Sequence, residues 1–243
     1  MRDALRKRVV ALIALESLDR GLEVLEIVNR TVPSVHAVDF FELAGLRRVC
    51  EHLQLPPPFE HEFAAYLILE CAGTSDPSDE LESLVEIVDD AVAASDAEGR
   101  RRLWRYREAH NETINALGIP HKLDVTVPIG SLPRFVREVR RVVLDVDAGA
   151  EVILFGHLGD GNVHVNVLGP RPEDQRVDRA VLELVASIGG SISAEHGIGL
   201  AKAEWLPLVR SAAEIRVMRE IKTALDPLGI LNPGRVLASG VSA

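Results

Sequence analysis

The stretch Phe155–Asn166, FGHLGDGNVHVN, holds two histidines, an Asp-Gly step and two asparagines within a run that is otherwise glycine or apolar. Asp-Gly between two apolar segments is among the strongest short hairpin signals, so two antiparallel strands are expected to meet here. With the loop centred on Asp160-Gly161, Gly159 faces Asn162, Leu158 faces Val163 and His157 faces His164. Directly opposed side chains share one face of the sheet, with Cβ atoms about 4.5–5.5 Å apart, so two imidazoles could reach one metal ion. Asn166 lies two residues beyond His164 and shares its face, while Leu158, Val163, Val165 and Val167 point the other way. The alternative is a solvated hairpin face that happens to carry histidines; the apolar row opposite favours the metal. The glycines are spaced G-x-x-G-x-G and a strand follows them, which disfavours a dinucleotide-binding loop.

Outward from the hairpin, hydrophobic periodicity alternates between strand and helix. Strands are expected at 9–15, 35–42, 62–71, 122–128, 151–156 and 163–168. Helices are expected at 18–30 (with Ser17 as cap), 43–52, 78–94, 100–117, 131–145, 173–188 and 211–225. The LPPP run at 55–58 is a stiff loop. Each half then approximates β-α-β-β-α, the ferredoxin-like order, with short antiparallel connections between its middle strands. The expected class is α+β: an antiparallel sheet with helices packed on one face, built from two related subdomains at about 1–95 and 118–243. A long helix at about 100–117 joins them.

Composition bounds the partners. A chain of 243 residues with 47% hydrophobic content can bury a substantial core. No apolar run approaches the ~18 residues of a membrane span, and the apolar N-terminal run ends at Glu16, Asp19 and Arg20 without a cleavage site, so it reads as a buried strand. Net charge of -10 argues against nucleic acid as partner. The basic cluster Arg100–Arg107, RRRLWRYR, reads as an amphipathic helix whose arginines answer the acidic segment Asp76–Glu98, with a phosphate patch as the lesser reading. Cys50 and Cys71 give no disulfide framework and fit a reducing compartment.

Two histidines leave a metal site short of a ligand. The best complement is SISAEHGIG at 191–199, where Glu195 and His196 sit in a glycine-flanked turn. A His-His-Glu set with an open position is the pattern of a catalytic rather than a structural site. The rival set Cys50, His52, His61 and Cys71 has irregular spacing, and Cys71 ends a core strand.

GHLGDGNVHVN, SAEHGIG and the terminal LDPLGILNPGRVL, in this order, resemble the C-terminal cap domain of the FAD-linked oxidases. The subgroup is the D-2-hydroxyacid dehydrogenases: D-2-hydroxyglutarate dehydrogenase, D-lactate dehydrogenase and the glycolate oxidase flavin subunit. The likeness runs over essentially the whole chain and implies a ferredoxin-like fold. It also implies a divalent metal, zinc by custom, on His157, His164 and Glu195. Arg107 and Lys122 would meet the substrate carboxylate, Asn166 would contact the substrate, His196 would be the catalytic base, and Asn232 would lie near the flavin. Dicarboxylate-specific relatives carry Thr four residues after the arginine, a substrate-binding position that is Asn111 here; NPGK reads NPGR, with Arg235.

The resemblance further implies partners: a small 2-hydroxy acid, an electron acceptor left open, and an FAD-binding domain in cis or on a separate chain, since this sequence begins where the cap domain does. A homodimer is a candidate assembly. The expected location is cytoplasmic, or peripheral to the membrane through an electron-transfer partner. The chemistry would be oxidation of a D-2-hydroxy acid to the 2-oxo acid with hydride passing to FAD. A metal-dependent hydrolase and a binding module without catalysis are the alternatives.

Overall fold

The first strand, β1 (Lys7–Leu15, KRVVALIAL), is buried along its last seven residues without alternation. Such a run needs cover on both faces of a sheet. The computed structural model, which describes residues 7–238, provides it. In chain order there follow α1 (Leu18–Thr31), β2 (Val35–Glu42), α2 (Leu43–Leu53), β3 (Ala65–Gly73), α3 (Ser78–Glu82) and β4 (Asp90–Ala94). Next come α4 (Ala97–Glu108), α5 (His110–Leu117), β5 (His121–Thr126), α6 (Leu132–Val146), β6 (Glu151–His157), β7 (Asn162–Leu168), α7 (Gln175–Ser187) and α8 (Ala212–Leu225).

One seven-stranded sheet runs β4-β1-β3-β2-β6-β7-β5, with every neighbouring pair antiparallel. β4-β1-β3-β2 is the ferredoxin-like order. β6-β7-β5 repeats it in reverse without a fourth strand, and a single bridge, Thr126↔Ser191, stands where that strand would lie. The two halves meet edge to edge at β2 and β6 through Asp39↔His157, Phe40↔Gly156 and Phe41↔Phe155.

On one face Ile13, Leu67, Leu154 and Val165 pack against Val24 and Val28 of α1, Phe135 and Val139 of α6, and Val181 and Val185 of α7. Fully burying one such side chain stabilises by about 1.5–3 kcal/mol. This is the helical layer that the ferredoxin-like order requires. A second layer, beyond the one-face packing expected, covers part of the other face. There Leu46 of α2, Leu103 and Tyr106 of α4 and Ile114 of α5 bury Val10, Leu12, Phe41, Tyr66, Ile68 and Phe155. The buried members of this cluster include Leu168 of β7 and none from β5, so apolar cover gives out over the β6–β7 hairpin.

Two expected helices differ. Residues 78–94 divide into α3, a 3-10 turn at Val85–Ile87, and β4. The alanine-rich DAVAA favours helix by propensity, but pairing with β1 overrides it. The helix expected at 100–117 bends at Ala109 (ψ -6°), giving α4, capped by Asp96, and α5. Its exposed arginines, 101, 102 and 105, form no ion pair with the 76–98 segment among the described residues. Glu70 instead bonds Arg8 (3.0 Å) and the Trp104 indole (2.8 Å).

Candidate active site

The β6–β7 hairpin closes with a four-residue loop, 158–161, so His157 stands opposite Asn162, and Phe155 opposite His164. The two-residue loop with His157 facing His164 is therefore corrected. Two features lengthen the loop. The Asp160 carboxylate accepts the Asn162 amide at 3.0 Å, and Gly161 takes φ +73° with its carbonyl accepting the Val127 amide at 3.0 Å. Because the slip is two residues, side chains keep their faces. His157, His164 and Asn166 still share one, and the imidazole centroids are 5.8 Å apart with edge-on rings.

Two buried carboxylates frame this pair. Asp39 of β2 accepts the His157 Nδ1–H at 2.7 Å, which leaves Nε2 facing Glu195 Oε1 at 3.5 Å. Asp124 of β5 places Oδ1 3.6 Å from His164 Nδ1, while its Oδ2 accepts the backbone amides of Glu195 (2.7 Å) and His196 (3.0 Å). Asp124 thus folds the SAEHGIG turn against the hairpin and sets His196 Nδ1 3.8 Å from its own Oδ2. The Lys202 ammonium donates to the Asp124 carbonyl at 2.8 Å, and burial lowers its proton affinity.

The two imidazoles differ electrostatically. The hydrogen bond that His157 donates to Asp39 raises its pKa against the effect of burial. Burial, then the nearby Arg107 charge, lowers that of His164. Burial works to raise Asp124, but the amides of His196 and Glu195 outweigh it and hold the carboxylate below its usual range.

Arg107 comes from α4, in the second helical layer. It is buried, its Nε lies 3.1 Å from Asp39 Oδ2 without hydrogen-bond alignment, and its guanidinium covers the Phe155 ring at 4.5 Å. His110, at the start of α5, packs between Phe41 and Phe155, with centroids 5.3 and 5.0 Å away, and donates from Nδ1 to the Arg107 carbonyl at 3.0 Å. Lys122 is exposed on β5, beside its register partner Asn166 and on the same face. Asn111 is exposed on α5. Asn232 is exposed with φ +45° in the segment after α8, which is tied back to the glycine-flanked turn by the Val236 amide and the Gly199 carbonyl at 2.7 Å.

Among the described residues no three His, Cys, Asp or Glu side chains enclose a metal position as they stand. The donor types nonetheless suit one: His157 presents Nε2 toward a carboxylate, with its other nitrogen held by Asp39. Unpartnered buried atoms surround the place, namely Asp124 Oδ1, Arg107 Nε and both amide atoms of Asn162. The rival set does not form, because Cys71 lies in the core under α1 and Cys50 packs on the opposite face of the sheet. Sequence reasoning missed Asp39, Asp124 and Asn162. The available signal was a carboxylate inside an apolar strand, in VHAVDFFE and KLDVTVP, where an unpaired charge costs several kcal/mol.

Comparison with known proteins gives the family of the chain. The chain is 36% identical over 218 residues to the D-2-hydroxyglutarate dehydrogenase of Stutzerimonas stutzeri, covering 84% of this chain and 47% of that protein. Identity to the D-2-hydroxyglutarate dehydrogenase of Xanthomonas citri pv. viticola is 35% over 243 residues, 93% of this chain and 51% of that protein. The chain thus spans about half the length of these relatives. The 4-ethylphenol oxidase of Gulosibacter chungangensis, solved as its isoeugenol complex, shares the fold with a TM-score of 0.62 at 13% identity, over 97% of this chain and 55% of that one. The model of the C-terminal domain of FAD linked oxidases matches residues 4–236, and the chain belongs to that family.

Proposed function

We propose that this chain is the substrate- and metal-binding half of a flavin-dependent dehydrogenase that oxidises a small D-2-hydroxy acid to the 2-oxo acid. The substrate belongs to the D-lactate, glycolate or D-2-hydroxyglutarate class. The observation that carries the reading is the convergence of two imidazoles, a carboxylate and a buried guanidinium beside one hairpin. The names of the relatives support the class of reaction. An FAD-binding domain, in cis or on a separate chain, and an electron acceptor are the partners.

In this reading Arg107 and Lys122 hold the substrate carboxylate, Arg107 through its planar fork, and Asn166 orients the substrate from the hairpin face. Fixing the reacting carbon in this way is a positioning effect. His157, His164 and Glu195 would hold a divalent metal, zinc by donor type, which when bound polarises the substrate hydroxyl and lowers its pKa. His196 takes the hydroxyl proton; its Nδ1 side faces Asp124, leaving Nε2 to receive it, and Asp124 offsets the charge that forms. FAD supplies the hydride acceptor, and Asn232 belongs on that side.

Elemental analysis of the zinc-exposed chain tests the metal centre. The parent is expected to retain about one equivalent, and His157→Ala, His164→Ala and Glu195→Gln to lose it; equal content in all four would sink the assignment. With the flavin-binding portion supplied, turnover of D-2-hydroxy acids should depend on His196. Hydrolytic turnover without flavin would replace the reading with a hydrolase.

A further inference from the structure

His157 and His164 do not face each other across the hairpin; each faces a carboxylate across an outer strand. In the order β2-β6-β7-β5, Asp39 is the direct register partner of His157 and Asp124 that of His164. Cross-strand partners lie close enough for short side chains to touch. Both carboxylates are buried, 5% and 3% exposed, Asp39 next to buried Phe40 and Asp124 between buried Leu123 and Val125. An unneeded charge in such a place would cost several kcal/mol.

The pairing has a second regularity. Each carboxylate turns one oxygen to an imidazole Nδ1, Asp39 at 2.7 Å and Asp124 at 3.6 Å. The other oxygen goes to the element that carries the next functional group. Asp39 Oδ2 lies 3.1 Å from Arg107 Nε, and Asp124 Oδ2 accepts the amides of Glu195 and His196. A carboxylate accepts only, so His157 Nδ1, hydrogen-bonded to Asp39, must carry the proton, while Asp124 Oδ1 makes no hydrogen bond to His164. We infer that Asp39 is a positioning residue that fixes the proton of His157 on Nδ1, so that this imidazole presents Nε2 toward Glu195, whereas Asp124 faces His164 without a hydrogen bond and positions the Glu195–His196 turn. The inference rests on the proposed site for its purpose, but its geometry stands without a metal.

Nitrogen-15 long-range correlation spectra of the metal-free chain, at a pH where both imidazoles are neutral, read the tautomer directly. The parent should show His157 protonated at Nδ1 alone. In Asp39→Asn and Asp39→Ala, His157 should shift toward the Nε2–H form that free imidazole favours, with His164 unchanged. Asp39→Asn preserves side-chain volume should the alanine variant fail to fold. His157 remaining Nδ1–H in every folded Asp39 variant would overturn the inference. Zinc titration of the same proteins adds a second arm: if the parent binds zinc at His157, either substitution should weaken it about 10- to 100-fold, and parent-like affinity in both would count against a positioning role. If the parent takes up no zinc, the metal assignment falls while the tautomers still decide this question.

Discussion

The guanidinium of Arg107 lies over the ring of Phe155, 4.5 Å from its centroid, while its Nε stands beside Asp39. These contacts use the ring face and one edge of the fork, and under the proposed function the terminal nitrogens would meet the ligand carboxylate. A lysine could carry the charge but neither stack as a plane nor bond in bidentate fashion. With the flavin-binding portion supplied, Arg107→Lys and Arg107→Ala should both lower kcat/KM for the 2-hydroxy acid about ten- to hundred-fold, the worth of a charged hydrogen bond. A near-parent value for the lysine variant would show that charge alone suffices.

His110 predicts how stability responds to acid. Burial, helped by the Arg107 charge, pushes its pKa down to about 3 from the usual 6.5. Between these values the unfolded chain binds a proton that the folded chain refuses. The stabilisation is therefore complete above the unfolded value and is lost as pH falls through this window, by up to about 1.4 kcal/mol per pH unit. His110→Asn, whose amide can still donate to the Arg107 carbonyl, should flatten the decline between pH 6.5 and 4.5 in urea unfolding. Parallel curves for the two proteins would assign the acid sensitivity elsewhere.

Gly161 holds the longer hairpin loop in place. Its φ of +73° is a left-handed conformation, and a Cβ there would come 2.1 Å from the Val127 carbonyl oxygen. Gly161→Ala should destabilise the fold by at least about 2 kcal/mol through strain and collision together. Chemical denaturation checks this; a change under 0.5 kcal/mol, roughly the range of an ordinary surface substitution, would mean that the loop has another conformation within reach.

One side chain collects several of the bonds that hold the segment after α8. Asp226 accepts the amides of Ile230 (3.0 Å) and Leu231 (2.9 Å) and pairs with Lys222. Asp226→Ala should make the peptide around 227–236 cleavable by a dilute protease well before the sheet unfolds, with Asn232 inside the released stretch. Cleavage rates equal to the parent would show that the tether between Val236 and Gly199 is enough.

How much of this could be read from the amino-acid order depends on the range of the interaction responsible. β2 and α8 were legible within one or two residues, because VHAVDFFE is a strong strand run and Ser211 with Glu214 forms a capping box. The functional face of the hairpin was legible even though its register was not, since a two-residue slip leaves parity intact. β4 was hidden, because only its pairing with β1 makes a strand of DAVAA. The second helical layer left a trace in the unbroken apolar run of β1, which demands cover on both sides. Asp39 and Asp124 were invisible as site residues because strand adjacency across β2–β6 and β5–β7 gives them their partners.

The β2–β6 seam is three residue pairs long and ends at Asp39↔His157. Asp39 and Arg107 come from β2 and α4, on one side of the seam; His157, His164, Asp124 and Glu195 come from β6, β7, β5 and the turn after α7, on the other. Neither half taken separately therefore holds a usable set. A sideways slip of one residue along this junction would break the Asp39–His157 contact and would also displace Phe40, Phe41 and Phe155, which belong to the two buried clusters. Assembly of the candidate site and correct docking of the halves are in that sense a single property, carried by the same three residue pairs.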